Sequence, residues 1–131
     1  MPELTRLPDA EFDVMEIVWR GPAPISSVQV HALAEPEKHW KPQTVLTLLS
    51  RLTQRGFLSS EKLGGARIYT PLVTREEYLN QETGQFMRKF HKNSLTGLMS
   101  ALYAEKSPKA EELDALESWL AERREGERHD E

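Results

Sequence analysis

The chain contains no cysteine, which excludes disulfides, thiolate metal sites and cysteine nucleophiles together. No apolar run approaches the roughly 20 residues that a membrane-spanning helix needs. The N-terminus lacks the pattern of a signal peptide, so the expected location is the cytoplasm. No internal repeat or low-complexity tract appears. Acidic residues are also nearly missing from one window. Between residues 38 and 75 the only acid is Glu61, against Lys38, Lys41, Arg51, Arg55, Lys62, Arg67 and Arg75. That window carries +6 in a chain whose net charge is −4. Phosphate contacts are local, so a positive patch on an acidic protein is compatible with nucleic acid. The 131 residues, 38% hydrophobic and 29% charged, suit one domain or a small domain with an extension.

The stretch KPQTVLTLLSRLTQR at 41–55 is the most informative. At helical spacing, Val45, Leu48, Leu49 and Leu52 share one face, and Gln43, Thr47, Ser50, Arg51 and Gln54 share the other. The first face needs a core. The second has no acid and offers the side chains that read base edges in a DNA major groove.

Elements around it are marked by local signals. Pro8 and Asp9 start a helix whose stripe is Phe12, Met15, Val18 and Trp19, and Gly21-Pro22 ends it near Trp19. Pro24-Ile25 reads as a short extended segment able to join a sheet. Ser26 and Gln29 form a capping box, with Ile25 and Val30 as the staple, for a helix ending near Glu35-Pro36. Pro42 suits the first position of the next helix and Gly56 its stop. FLSSEKL and ARIYTPL flank Gly64-Gly65, a hairpin turn signal. Thr74 and Glu77 form a second capping box. It opens a long helix interrupted by Gly84 and Gly97, and Ser107-Pro108 starts a last one.

The fold class expected is mainly α with a small β-hairpin: a winged helix-turn-helix over 1–73, a C-terminal helical dimerisation domain over 74–124 and a disordered tail over 125–131. In a helix-turn-helix the second helix crosses the major groove, and its N-terminal part lies deepest. The DNA-binding candidates are therefore Lys41, Pro42, Gln43, Thr44, Thr47, Ser50 and Arg51. Gln43 suits adenine and Arg51 guanine or a phosphate. Arg55 and Lys62 suit phosphate, and Arg67, beside the Gly-Gly tip, suits backbone or minor groove. In the second half, Leu79, Phe86, Phe90, Leu95, Leu98 and Leu102, with Leu113, Leu116 and Leu120, form more apolar surface than a small winged helix can cover. A second copy of the chain would cover it, and a two-fold dimer matches a two-fold operator.

The runs LPDAEFDVMEIVWRGPAPISSVQV, TVLTLLSRLTQRGFLSSEK and IYTPLVTREEY resemble the penicillinase-repressor family, the BlaI/MecI-type regulators to which copper-responsive CopY repressors are related. The resemblance covers residues 4 to about 122. Its most specific parts are Glu11–Trp19, matching E-x-x-V-M-x-x-V-W, and Thr44–Leu52, matching T-V-x-T-L-L-x-R-L. It implies a winged-helix repressor on palindromic operators with a helical dimerisation domain. In the β-lactam branch, a membrane sensor protease triggers cleavage in that domain. In the copper branch, a C-terminal cysteine motif binds metal. This chain departs from both. It has no cysteine for the copper switch, and the family's Asn-Phe cleavage junction aligns with Ala101-Leu102.

Three other classes remain at this stage. An enzyme would need an acid–base or metal constellation, and His31, His39, His91 and His129 fall in no such spacing; no cofactor or metal is expected. A ligand-responsive regulator would line a pocket with Phe86, Met87, Phe90 and Trp119. A winged helix can also dock another protein.

Overall fold

The computed structural model describes residues 4–130, without the side chains of residues 129 and 130. Glu131 lies outside the described residues. The chain divides into two compact units, 1–85 and 86–131. The division falls beyond the 73/74 boundary expected from sequence, because the first turns of a later helix pack on the N-terminal core.

In the N-terminal unit, α1 (Asp9–Arg20), α2 (Ser27–Lys38) and α3 (Pro42–Gln54) surround the core. Strand β1 (Ile25–Ser26) precedes α2; β2 (Leu58–Leu63) and β3 (Ala66–Pro71) follow α3. The three strands form one antiparallel sheet in the order β1-β3-β2. Gly64 and Gly65 have φ of +58° and +84°, the positive angles that a two-residue hairpin turn demands.

Helix α1 begins at Asp9, with Pro8 in the cap position. Its acids Asp9 and Glu11 lie in the first turn, where the helix dipole favours them. Met15 and Val18 are buried as expected, joined by Val14 and Ile17. Phe12 and Trp19 are half-buried at the rim of the core. The capping box of α2 is formed: the Gln29 N–H donates to Ser26 Oγ and the Ser26 N–H to Gln29 Oε1. This helix runs past the expected end at Glu35-Pro36, to Lys38. A proline this close to the C-terminus removes one helical hydrogen bond, and the added turn is held by Lys38 pairing with Asp13 of α1 at 2.8 Å.

Helix α3 has Pro42 in its first turn and buries Val45, Leu48, Leu49 and Leu52. Gly56, at φ +85°, closes it. The Phe57 N–H donates to the Leu52 carbonyl and the Gly56 N–H to that of Thr53, the doubled bond of a left-handed glycine stop.

Helix α4 (Arg75–Phe90) starts at the Thr74–Glu77 box, in which the Glu77 N–H donates to Thr74 Oγ1. Tyr78 is buried against Phe12, Trp19 and Phe57, with ring centroids 5.5–6.2 Å apart across this cluster. Leu79 also packs on the N-terminal core. Half-buried there, it is held beside the aromatic cluster that draws the start of α4 inward. The Trp19 indole N–H donates to the Val73 carbonyl, and every buried side-chain polar atom among the described residues has a partner.

The C-terminal unit has the remainder of α4, then α5 (Leu95–Glu105) and α6 (Ala110–Asp130). The expected long helix stops at Phe90, because Lys92 and Asn93 adopt positive φ and Ser94 caps α5 by accepting from the Gly97 N–H. Helix α6 continues to Asp130, through the segment 125–130 expected to be disordered. The segment has nothing to bury, but a Glu- and Arg-rich sequence has enough helix propensity to extend an existing helix by a few turns. No residue of α5 or of the described part of α6 is buried. Among the described residues, no helix is long and apolar enough to cross a membrane.

Candidate nucleic-acid interface

The two faces of α3 are separated as its spacing predicts. Val45, Leu48, Leu49 and Leu52 are in the core, while Lys41, Pro42, Gln43, Thr44, Ser50 and Arg51 are exposed. Thr47 is half-buried, and its hydroxyl donates to the Gln43 carbonyl at 3.0 Å. That bond uses the hydroxyl proton, leaving an acceptor lone pair and the methyl group to face outward. Gln43, Leu46, Thr47, Ser50, Arg51 and Gln54 line one shallow groove along the helix.

The hairpin extends this surface. The two-residue period of a strand puts Leu58, Ser60 and Lys62 on one face, opposite Pro71, Tyr69 and Arg67 of β3. At the base of the ribbon this face is core, with Leu58 and Tyr69 buried. Midway, Ser60, Arg67 and Tyr69 line a groove shared with Leu46, Ser50 and Gln54 of α3. Toward the tip, Lys62 lies directly opposite Arg67. Like charges so placed destabilise a ribbon, and an anion between them relieves the cost. Arg67 Nη1 donates to Ser60 Oγ at 3.0 Å, which orients the guanidinium beside α3.

The +6 window is smaller in space than in sequence. Three of its seven cations are held by acids of α1: Lys38 by Asp13, Arg55 by Glu11 and Arg75 by Glu16. Among the described residues, Lys41, Arg51, Lys62 and Arg67 form no ion pair, and they lie at the start of α3, on its exposed face and at the hairpin. Arg55 was expected at a phosphate. It is committed elsewhere, with Nε donating to Glu11 Oε1 at 2.6 Å. Glu11, 2% exposed, is the one charged side chain buried among the described residues. A buried carboxylate demands a partner, so Arg55 anchors the end of α3 to α1.

A family model described as Penicillinase repressor matches residues 7–122. The chain belongs to the penicillinase-repressor family. This family consists of DNA-binding transcriptional repressors, not enzymes. The penicillinase repressor of Bacillus licheniformis is 26% identical over 122 residues, covering 93% of this chain and 94% of that protein. The methicillin resistance regulatory protein MecI of Staphylococcus aureus is 24% identical over 111 residues, covering 85% and 89%. The solution structure of the Bacillus licheniformis BlaI monomeric form in complex with the blaP half-operator matches with TM-score 0.50 and 31% identity. It covers 60% of this chain and 94% of that one.

In this penicillinase-repressor family member, the structure brings two further residues, unmarked by the sequence pattern, to the same surface. Leu46 sits on the exposed side of α3, 39% exposed, hidden by its residue type among the leucines assigned to the core. Ser60 orients Arg67, and its strand pairing was its only signal. Of the residues expected in the second half, Phe86, Phe90, Leu95, Leu102, Leu116 and Leu120 are exposed, whereas Leu98 and Leu113 are half-buried within the C-terminal unit. Phe86 and Phe90 pack with ring centroids 5.2 Å apart and planes tilted by 50°, and Trp119 lies against Arg123 at 4.7 Å.

Proposed function

We propose that this chain is a homodimeric transcriptional repressor that places α3 in the major groove of a palindromic operator and the β2–β3 hairpin on the flanking backbone. One observation carries the reading: the exposed face of α3 has no acid and combines hydrogen-bonding side chains with an unpaired Arg51, while Val45, Leu48, Leu49 and Leu52 fasten the helix to the core. Gln43, Thr44, Thr47, Ser50 and Arg51 reach base edges or phosphates; Lys41, Lys62 and Arg67 contact phosphate. Pro42 makes apolar contact only. The operator complex of the related BlaI supports this reading.

The dimer is formed by the apolar side chains of the C-terminal unit. The inducing signal acts there. A membrane sensor protease is the partner suggested by the resemblance, with Ala101-Leu102 as the position of attack. Both residues are exposed on α5, so cleavage requires local unwinding of that helix. On this reading the protein works in the cytoplasm, where the operator is.

The test is fluorescence-anisotropy titration of the full chain on duplexes recovered by selection from random sequence. Affinity is expected to fall between about 50 and 200 mM salt, with log K changing by roughly −0.9 per phosphate contacted. Lys62→Ala should flatten that slope by about one phosphate and weaken all sequences alike. Arg51→Ala should relax the preference at one base pair, by about 1–3 kcal/mol if it reads guanine. No enrichment in the selection, or a salt-independent affinity, would identify a protein-docking module instead.

A further inference from the structure

Leu46 is out of place on the surface it occupies. It is 39% exposed, yet the helix has its own buried leucines at Leu48, Leu49 and Leu52. Its neighbours on the outward face are Gln43, Thr47, Ser50 and Arg51, and all of them carry hydrogen-bonding groups. It also borders the groove toward Ser60, Arg67 and Tyr69 of the hairpin. Leu46 therefore stands between the polar row of α3 and the wing, in the N-terminal half of the helix, which enters a major groove deepest. A leucine there cannot bond to a base edge. The one apolar group that DNA presents in the major groove is the thymine 5-methyl.

We propose that Leu46 is a specificity-determining residue that selects thymine through its 5-methyl group, on the wing side of the bases contacted by Gln43 and Ser50. The proposal rests on the DNA-binding reading and adds a residue and a base to it. Burial of one methyl against Leu46 sets the scale, about fourfold in affinity for each thymine so read. In contrast to the hydrogen-bonding residues beside it, Leu46 gains nothing from the oxygen and nitrogen atoms of the base, so its preference depends on the methyl alone.

The experiment uses the full chain and the duplex selected from random sequence. Each thymine in turn is replaced by deoxyuridine, which removes the methyl and leaves every hydrogen-bonding group in place. The wild type is expected to lose about fourfold at one thymine per half-site. L46A should bind the thymine and deoxyuridine duplexes equally at that position, while other positions keep their preferences. L46Q, selected afresh, should exchange thymine for adenine there, since glutamine pairs with adenine. Wild-type indifference to deoxyuridine at every thymine overturns the proposal. So does an L46A protein that loses affinity on deoxyuridine as the wild type does. A wild-type selection that enriches no sequence overturns the DNA-binding reading itself, which separates the two failures.

Discussion

The two halves of this chain treat their apolar side chains in opposite ways. The N-terminal unit buries Val14, Met15, Ile25, Val30, Val45, Leu49, Leu52, Phe57 and Leu58 almost completely. It also ties α1 to the ends of its neighbours with three ion pairs. The C-terminal unit leaves Phe86, Phe90, Leu95, Leu102, Leu116, Trp119 and Leu120 exposed, and helices α5 and α6 bury nothing among the described residues. A core satisfied within one unit makes an independently stable platform. An amphipathic surface left open calls for a partner, because contiguous exposed apolar patches mark interaction sites. The contrast separates a unit that holds α3 rigid from one that leaves apolar surface open to a partner.

The sharpest break of that contrast is Phe90→Asp combined with Leu98→Asp. In a two-fold interface each change occurs twice, and at about 2 kcal/mol per buried apolar side chain the combined loss is about 8 kcal/mol. Sedimentation should show monomers, and circular dichroism should show the helices of the N-terminal unit intact. Operator affinity should drop with the loss of the second half-site. A variant that still sediments as a dimer places the interface elsewhere.

The next largest effect belongs to the other unit. Arg55→Ala strands the buried Glu11 carboxylate, and breaking such a pair costs about 3 kcal/mol. Urea denaturation should record that loss with the dimer unaffected. Replacing both partners by Leu or Met should cost less, because no charge is then left buried. A loss under about 1 kcal/mol for Arg55→Ala would return Arg55 to the list of phosphate contacts.

This pair also marks where the sequence stops being legible. Caps and turns are written locally. Ser26 with Gln29, Pro42, Gly56 and Gly64-Gly65 marked helix starts, a stop and a turn, and the inward face of α3 follows from its own spacing. Charge is settled by tertiary pairing. Arg55 and Glu11 are 44 residues apart, and Arg75 and Glu16 are 59 apart, so a window of cations counted along the chain overstates the patch. The contact of Leu79 with the N-terminal core is hidden for the same reason: it depends on Tyr78 meeting Phe12 and Trp19 from α1. Leu46 is masked by its residue type, which says core, although the spacing that turns Gln43 and Ser50 outward turns it outward too.

The smallest effect sharpens the contrast through pH. Burial holds the Tyr69 and Tyr78 hydroxyls above the ordinary tyrosine value, and the hydrogen bond to Asp13 raises the Lys38 ammonium above its own. All three groups belong to the N-terminal unit. A pKa raised on folding means that the unfolded chain releases its proton first as pH climbs. The stability these groups contribute is therefore complete below the ordinary values near 10 and is lost above them. Tyr103, the tyrosine of the C-terminal unit, is exposed. In a Trp119→Phe background the remaining tryptophans, Trp19 and Trp40, report the N-terminal unit alone. Their unfolding midpoint in urea should fall between about pH 9 and pH 11, while the dimer stays assembled. Tyr78→Phe should cost about 1 kcal/mol at neutral pH, because the Leu7 N–H loses its acceptor at 2.9 Å. The same variant should show a shallower alkaline loss, since one of the two buried phenols is gone. An equal alkaline loss in that variant would assign the effect to Tyr69 and Lys38 and leave Tyr78 as a packing residue.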